Sequence, residues 1–241
     1  MCLGLRLHYK KIDSTSAFLK RRRFVLPNFT FVSADFQTAG RGRTGRKWDS
    51  NAGENLLFSV LVKDRECKRV FPYLSVASGI AVIKAIEKFG VKNLSLKWPN
   101  DVYADGKKIC GILLDGSFGG KKDAVIIGIG INVCQNRFKD EFLRKATSVF
   151  LETGKNVSVG SVKRAVYKSV KTELKKVLDG NLSFIETAKE KDYLKGKEIF
   201  AEINGKKSLV KVVGIRNDCT LTVLCNEREY KLNSGEVTFH V

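Results

Sequence analysis

Two histidines, three prolines, one methionine and six cysteines without a C-x-x-C pair are what this 241-residue sequence has least of. Each scarcity removes a class of chemistry. His8 and His240 stand at opposite ends of the chain, with no second ligand at a short spacing, which argues against a zinc site. Cys2, Cys67, Cys110, Cys134, Cys219 and Cys225 fall largely in apolar, strand-like runs, where a free thiol behaves as a small hydrophobe; this usage points to a reducing, cytoplasmic setting. The longest apolar run, residues 125–133, is interrupted by Gly128 and Gly130 and falls far short of the ~20 residues of a spanning helix, so no membrane is expected. Arg6 breaks the N-terminus before the apolar core of a signal peptide forms, and Cys2 excludes N-myristoylation.

Acidic residues are also short: 25 Asp and Glu stand against 44 Lys and Arg, a net charge of +19. With 43% apolar and 10% aromatic residues the chain is nevertheless long and apolar enough for one or two cored domains, which excludes disorder. The charge is dispersed. Lys20 to Arg23, Lys107-Lys108, Lys121-Lys122 and Lys206-Lys207 stand apart, and Lys163, Arg164, Lys168, Lys171, Lys175 and Lys176 occupy the polar side of one expected helix. Such a distribution gives solvated faces and long-range attraction of an acidic partner rather than a dedicated nucleic-acid groove. One concentrated group stands out: Arg41, Arg43, Arg46 and Lys47.

Periodicity predicts a buried helix over residues 72–89, with Pro72 in its first turn and a stop at Gly90. A second helix follows Ser158 as N-cap over residues 159–178 and stacks Val162, Val166, Val170, Leu174 and Val177 on one face. A third covers residues 184–195, with Ser183 and Glu186 as a capping box, and Asp13 or Ser14 caps a short one reaching Arg22. Strand signals lie at 29–34, 56–62, 94–97, 109–114 and 124–133, the last two nearly all apolar, as suits central strands covered on both faces. After Gly196 come five short strands, 199–203, 209–215, 221–224, 228–232 and 237–241, the pattern of a small β-barrel with Phe200, Tyr230 and Phe239 in its core. The fold class expected is α+β or α/β, with a mixed-sheet domain over 1–193 and a barrel over 194–241.

Gly40-Arg41-Gly42-Arg43-Thr44-Gly45 satisfies G-x-G-x-x-G, but a dinucleotide fingerprint needs a helix at its end, and the polar, turn-rich segment 46–53 offers none. Three glycines and four cations repel one another in an empty loop and close around an anion that supplies counter-charge, so the order of this loop should depend on a ligand. A second constellation is Lys97-Trp98-Pro99-Asn100-Asp101, followed by Asp105-Gly106, a two-residue hairpin signal. Folding about that turn pairs Tyr103 with Lys108, Val102 with Ile109 and Asp101 with Cys110, which places Asp101, Tyr103, Lys108 and Cys110 on one face. Asp101 and Lys108 are then diagonal neighbours, either a rim ion pair of little energetic weight or a functional pair; the residues alone leave both open. Gly111, in an apolar strand, marks a place where a ligand or another backbone comes close.

These blocks carry a resemblance. Asp13-Ser14-Thr15, the run from Gln37 to Trp48, and Lys97-Trp98-Pro99-Asn100-Asp101 with Lys108 and Gly111 after it resemble, in order, the motifs of the biotin protein ligases, also called biotin-[acetyl-CoA-carboxylase] ligases. A weaker block, Gly128-Ile129-Gly130-Ile131-Asn132-Val133, falls where that family has a Gly-x-Gly-Ile-Asn strand, and Gly235-Glu236-Val237-Thr238 closes the barrel. The resemblance covers essentially the whole chain. It implies a catalytic domain of class II aminoacyl-tRNA synthetase type followed by an SH3-like barrel, with ATP and Mg²⁺ as cofactors and biotin as substrate. It implies two reactions: formation of biotinyl-5'-AMP, then transfer of biotin to a lysine of a biotin carboxyl carrier protein.

The resemblance also implies roles, position by position. Ser14, Thr15 and Gln37 bind the ureido end of biotin; Gly40, Arg41, Gly42 and Arg43, continuing to Arg46, form the biotin-binding loop; Trp48 and Gly111 help wall the site. Lys108, Arg43 and Asp101 are the expected catalytic residues. Arg43, Arg46, Trp48, Asn100, Lys108 and Asn132 are expected at the nucleotide, with residues 134–148 closing over the adenylate, and no side chains are expected to form a metal site. Ser16 stands where the family usually has Asn, and Asn51 where Pro is common. About a dozen residues precede Asp13, too few for the operator-binding domain of some relatives, so no repressor role is expected; relatives are monomers or homodimers. Two alternatives stand beside this reading. A lipoate ligase shares the chemistry but carries an Arg-Arg-x-Ser-Gly-Gly-Gly signature not found here, and a nucleic-acid-binding protein would need exposed aromatics interleaved with basic residues on the barrel.

Overall fold

The computed structural model describes residues 4–119, 123–139, 142, 145–203 and 205–233. Strands β1 (Arg6–Ile12), β2 (Thr30–Gln37), β3 (Asn55–Lys63), β4 (Leu94–Lys97), β5 (Asp101–Ala104), β6 (Lys107–Ser117) and β7 (Ala124–Asn132) form one mixed sheet in the order β1-β2-β3-β7-β6-β5-β4. Only β1 and β2 pair in parallel.

Side-chain alternation divides the sheet into two unlike faces. Leu56, Phe58, Val60 and Val62 of β3 point into the main core, roofed by helices α2 (Cys67–Ile86) and α4 (Val159–Leu178). There the rings of Phe31 and Phe58 lie 4.6 and 4.9 Å from that of Tyr167. Leu61, with Val32, Ala124 and Ile126, forms a smaller cluster on the other face under Leu19 of α1 (Thr15–Arg22). Helices α3 (Val149–Thr153) and α5 (Phe184–Glu190) are short. A second sheet, β8 (Glu198–Ile203), β9 (Lys206–Ile215), β10 (Leu221–Cys225) and β11 (Arg228–Leu232), is an antiparallel meander. It shares the main core through Ile199, Val210, Val212, Leu221 and Val223. The indole N–H of Trp98 crosses between the sheets and donates to the carbonyl of Cys219 at 2.7 Å.

The expected helix 159–178 is found with those bounds, and its five predicted stripe residues are fully buried. The hydroxyl of Ser158 caps it, accepting from Ser161 N–H at 3.2 Å. Three expectations need correction. The helix expected from residue 72 begins five residues earlier, so Pro72 lies inside α2 and not in its first turn. Cys67–Phe89 is long and apolar enough to pass for a membrane span, but 72% of its apolar 18-residue stretch is buried within the fold, which accounts for its hydropathy. The helix expected over 184–195 ends at Glu190, and Ser183 makes no side-chain cap; Glu186 pairs with Lys189 one turn on instead. On the second sheet Phe200 is 41% exposed, with the Lys207 ammonium 4.9 Å from its ring, rather than in the core. The expected fifth strand, 237–241, with Phe239 and the 235–238 motif, lies outside the described residues. Strand β1 has no counterpart among the strands expected from the sequence.

Candidate active site

On the face shared with α1, a row of paired residues crosses four strands: Leu57 of β3 opposite Gly130 of β7, Gly130 opposite Gly111 of β6, and Gly111 opposite Asp101 of β5. Two adjacent glycines open a shallow trough there, and the indole of Trp48 lies in it. A Cβ on Gly111 would sit 2.6 Å from that ring, and one on Gly130 only 2.5 Å. Both positions therefore require glycine for contact rather than for backbone conformation.

The β5–β6 hairpin turns at Asp105-Gly106 as expected, and Tyr103 opposes Lys108. Beyond that pair the register slips by one, because β6 carries an extra residue at Ile109. Cys110 therefore opposes Val102 and turns into the core, where its thiol pKa is pushed well up by burial; the expected pairing of Asp101 with Cys110 is overturned. The bulge has a chemical result. In a regular strand residues 108 and 111 point to opposite faces, whereas here Lys108 and Gly111 share the trough face, and the Lys108 ammonium lies 3.2 Å from where a Gly111 Cβ would stand.

Lys108 Nζ is 2.8 Å from Asp101 Oδ1, a close ion pair that lacks the direction of a good hydrogen bond. It also lies 5.6 Å from the centre of a Trp48 ring. Arg43, carried by a 3₁₀ turn over Arg43–Gly45 where no α-helix follows the glycines, donates to Asn100 Oδ1 at 3.0 Å. Asn100 is held in turn by its own N–H₂ on the Ile112 carbonyl at 2.9 Å. Burial lowers the pKa of the Arg43 guanidinium, and the field of the Asp101 carboxylate opposes that shift. Lys97, beside them, is lowered in the same way by burial against the field of Asp101. The loop closes on itself through Gly42 N–H to the Arg46 carbonyl (2.7 Å) and Trp48 N–H to the Gly40 carbonyl (3.1 Å), while Arg41 and Arg46 face solvent.

At the far end of the trough, Thr15 donates to Gln37 Oε1 through both its N–H (2.7 Å) and its hydroxyl (3.0 Å). Ser14 is the N-cap of α1 and accepts from Ala17 N–H. Two residues not singled out from the sequence complete this end: Ser59, fully buried on β3, contacts the hydroxyls of Thr15 (2.7 Å) and Ser16 (2.8 Å), and Gly128 lies opposite it. Asn132 uses both ends of its amide inside the protein, accepting from Asn55 and donating to the Thr147 carbonyl. It pins the returning chain, whose residues 145–147 bond to the backbone of Lys108. Asn55 and Gln135, which complete that network, carry no motif signal in the sequence.

Of the residues expected from the sequence, Ser14, Thr15 and Gln37 form a polar end of one face, Gly111 floors its middle under Trp48, and Arg43, Lys108, Asp101 and Asn100 form a cationic end, whereas Arg41 and Arg46 point to solvent and the Asn132 amide is engaged within the protein. Such an arrangement has the chemistry to hold an elongated ligand with a hydrogen-bonding head and an anionic tail.

The sequence model of the biotin/lipoate A/B protein ligase family matches residues 9–132. The fold is similar to that of a biotin protein ligase from Aquifex aeolicus solved in complex with biotin and ATP, with 33% identity and a TM-score of 0.86 over 99% of both chains. The bifunctional ligase/repressor BirA of Escherichia coli is 32% identical over 165 residues, 68% of this chain and 51% of that protein. A biotin-[acetyl-CoA-carboxylase] ligase of Mycobacterium tuberculosis is 38% identical over 106 residues, 42% of this chain and 38% of its own length. The chain spans about half the length, or less, of these curated relatives.

Proposed function

Because this chain belongs to the biotin/lipoate A/B protein ligase family, we propose that it is a biotin protein ligase that activates biotin with ATP and transfers it to a lysine of a biotin carboxyl carrier domain. The observation that carries the reading is the convergence of Lys108 and Arg43 on Asp101 and Asn100, at the end of a glycine-floored trough whose other end is hydrogen-bonding. The reading divides the chain into a catalytic domain, 1–193, and a C-terminal domain, 194–241.

In the first step the biotin carboxylate attacks the α-phosphorus of ATP, the bond to the bridging oxygen of the β-phosphate breaks, and pyrophosphate leaves. Two anions must approach, so fixed cations in a partly dry groove lower the barrier. On this reading Lys108, paired with Asp101, meets the carboxylate and the α-phosphate at the cationic end of the trough, and Arg43, held by Asn100, is the second cation. In the second step the carrier's lysine, as a free amine, attacks the acyl carbon, the acyl–oxygen bond to AMP breaks and the surplus proton of the amine passes to water; Lys108 and Arg43 again steady the charge on the departing phosphate. Mg²⁺ enters with the phosphates of ATP as part of the substrate complex. The described side chains offer no group of three carboxylate, thiol or imidazole ligands to hold it independently.

The test is exchange of labelled pyrophosphate into ATP, with biotin or lipoate as the acid. Wild-type protein should exchange with biotin and not with lipoate. Lys108→Ala should lower kcat on the order of a hundredfold or more, and Arg43→Gly should alter exchange and release the intermediate into solution. Both should melt close to wild type, since their side chains are only partly buried and lie outside the apolar core. Equal exchange in wild type and Lys108→Ala would remove the proposed chemistry.

A further inference from the structure

The proposed chemistry leaves most of the positive charge unused, and part of it gathers around a cavity of about 110 Å³ on the other face of the main sheet from the trough. Arg6 and His8 of β1 and Ser33 of β2 form one wall. Across those parallel strands Arg6 pairs with Phe31 and His8 with Ser33, and Phe31 belongs to the main core, which fixes the face. Lys163, Arg164 and Tyr167, which share one side of α4, form the other wall. Tyr167 packs its ring on Phe31 and Phe58 and is only 5% exposed, yet its buried hydroxyl has no hydrogen-bond partner among the described residues. Burial pushes its pKa up to about 12, which keeps it a protonated donor; Ser33 and Arg6 oppose that shift, and Ser33 lies near it without the geometry of a hydrogen bond. Such a donor is unfavourable unless something in the cavity accepts from it.

The cations of this cavity also lack partners of opposite charge. Among the described residues no carboxylate pairs with Arg6, Lys163 or Arg164; Arg164 donates to Ser161 Oγ at 3.2 Å and keeps further N–H groups. Asp35, on the same face of β2 as Ser33, is engaged by His8 Nε2 at 3.3 Å.

We propose that this cavity is a second anion site, separate from the reacting groove, that takes a tetrahedral oxyanion of the phosphate class. Three cations around one small space repel one another, and an anion converts that repulsion into charge-assisted hydrogen bonds. Tyr167 adds a neutral O–H donor from the core side. Size limits what enters: sites for drug-sized ligands begin at about 300 Å³, so the cavity takes a phosphoryl group and not a nucleoside. An anion held there ties the edge strand β1 to α4 and should stabilise the fold. Because Arg6 and Arg164 are exposed, salt should weaken its binding. The site does not depend on which acid the groove accepts, so it is independent of the proposed function.

The experiment titrates the full chain, without ATP or biotin, with inorganic phosphate and with glycerol 3-phosphate by calorimetry at constant ionic strength, and follows thermal unfolding with each. Phosphate can also enter the reacting groove, so wild type is compared with Tyr167→Phe, Lys163→Gln, Lys168→Gln and Lys108→Ala. Wild type should bind phosphate saturably and melt higher with it than with chloride at the same ionic strength. Tyr167→Phe, which keeps the ring packing, and Lys163→Gln should each weaken binding about tenfold, the size of one net hydrogen bond. Lys168→Gln, on the same helix but away from the cavity lining, and Lys108→Ala should leave the affinity close to that of wild type. Equal binding of the two probes assigns the site to the phosphoryl end of a larger molecule, and a preference for inorganic phosphate assigns it to the free ion. No saturable binding by wild type, affinity unchanged in both Tyr167→Phe and Lys163→Gln, or affinity lost in Lys108→Ala and kept in Tyr167→Phe overturns the proposal. Should Tyr167→Phe fail to fold, Lys163→Gln, on the more exposed wall, decides by itself, and unchanged affinity in that variant overturns the proposal.

Discussion

At the scale of single residues, the site is governed by glycines that make room. Gly111 and Gly130 oppose each other across β6 and β7, and the Trp48 indole rests on them with its N–H buried and without a hydrogen-bond partner among the described residues. A buried donor of this kind destabilises the resting position by about 1–3 kcal/mol relative to a paired one, so the ring is inclined to move when a ligand offers an acceptor. Replacing Gly130 by Ala drives a methyl group into the ring. The expected outcome is displacement of Trp48 toward water, seen as a red shift of its emission against the constant signal of buried Trp98, and a KM for biotin raised at least tenfold. Unshifted emission would mean that the indole does not rest on Gly130. The motif residues Arg43, Trp48, Asp101 and Lys108 are legible in the sequence because loops and hairpin ends carry distinctive residue types. Ser59, Asn55 and Gln135 are not, since a buried serine or amide among apolar neighbours has no local pattern and acquires its meaning only from partners 43 to 80 residues away.

At the scale of elements, long periodic segments are readable from the sequence and irregular ones are not. Helix α4 has a five-member apolar stripe and a capping serine, which fix both its face and its start. The capping box expected at Ser183 does not form because Ser183 has helical instead of extended backbone, and Glu186 pairs with Lys189. The contrast is measurable: Ser158→Ala should cost about 1 kcal/mol in urea unfolding, and Ser183→Ala a few tenths at most. Equal costs would contradict the two cap geometries. Strand β1 escapes notice because Arg6-Leu7-His8-Tyr9-Lys10-Lys11-Ile12 is an edge strand with charged outward positions. The bulge in β6 escapes for another reason. Nothing local distinguishes Ile109 from its neighbours, and the extra residue is set by how β6 fits β5 on one side and β7 on the other.

At the scale of the whole molecule, the two sheets share a continuous core and are further joined by Trp98, whose N–H reaches the Cys219 carbonyl. Trp98→Phe keeps the ring packing but leaves that buried carbonyl without its donor. It should lower stability by about 1–3 kcal/mol while the protein still unfolds in one step. Two separated transitions would show that the second sheet is held to the first mainly by this one bond. The sequence pattern announces two structural units and a net charge of +19, but not how the units meet, because Trp98 and Cys219 are 121 residues apart in sequence.

The helical roof is one-sided. With α2 and α4 both on the face away from the trough, the reacting end of the groove is bordered by loops and hairpin edges instead of by packed helices. A small-molecule transferase ordinarily encloses both of its substrates. On the proposed function, this lopsided architecture suits an acceptor too large to enter, which can dock an entire folded module against the flank and reach in with a single extended amine.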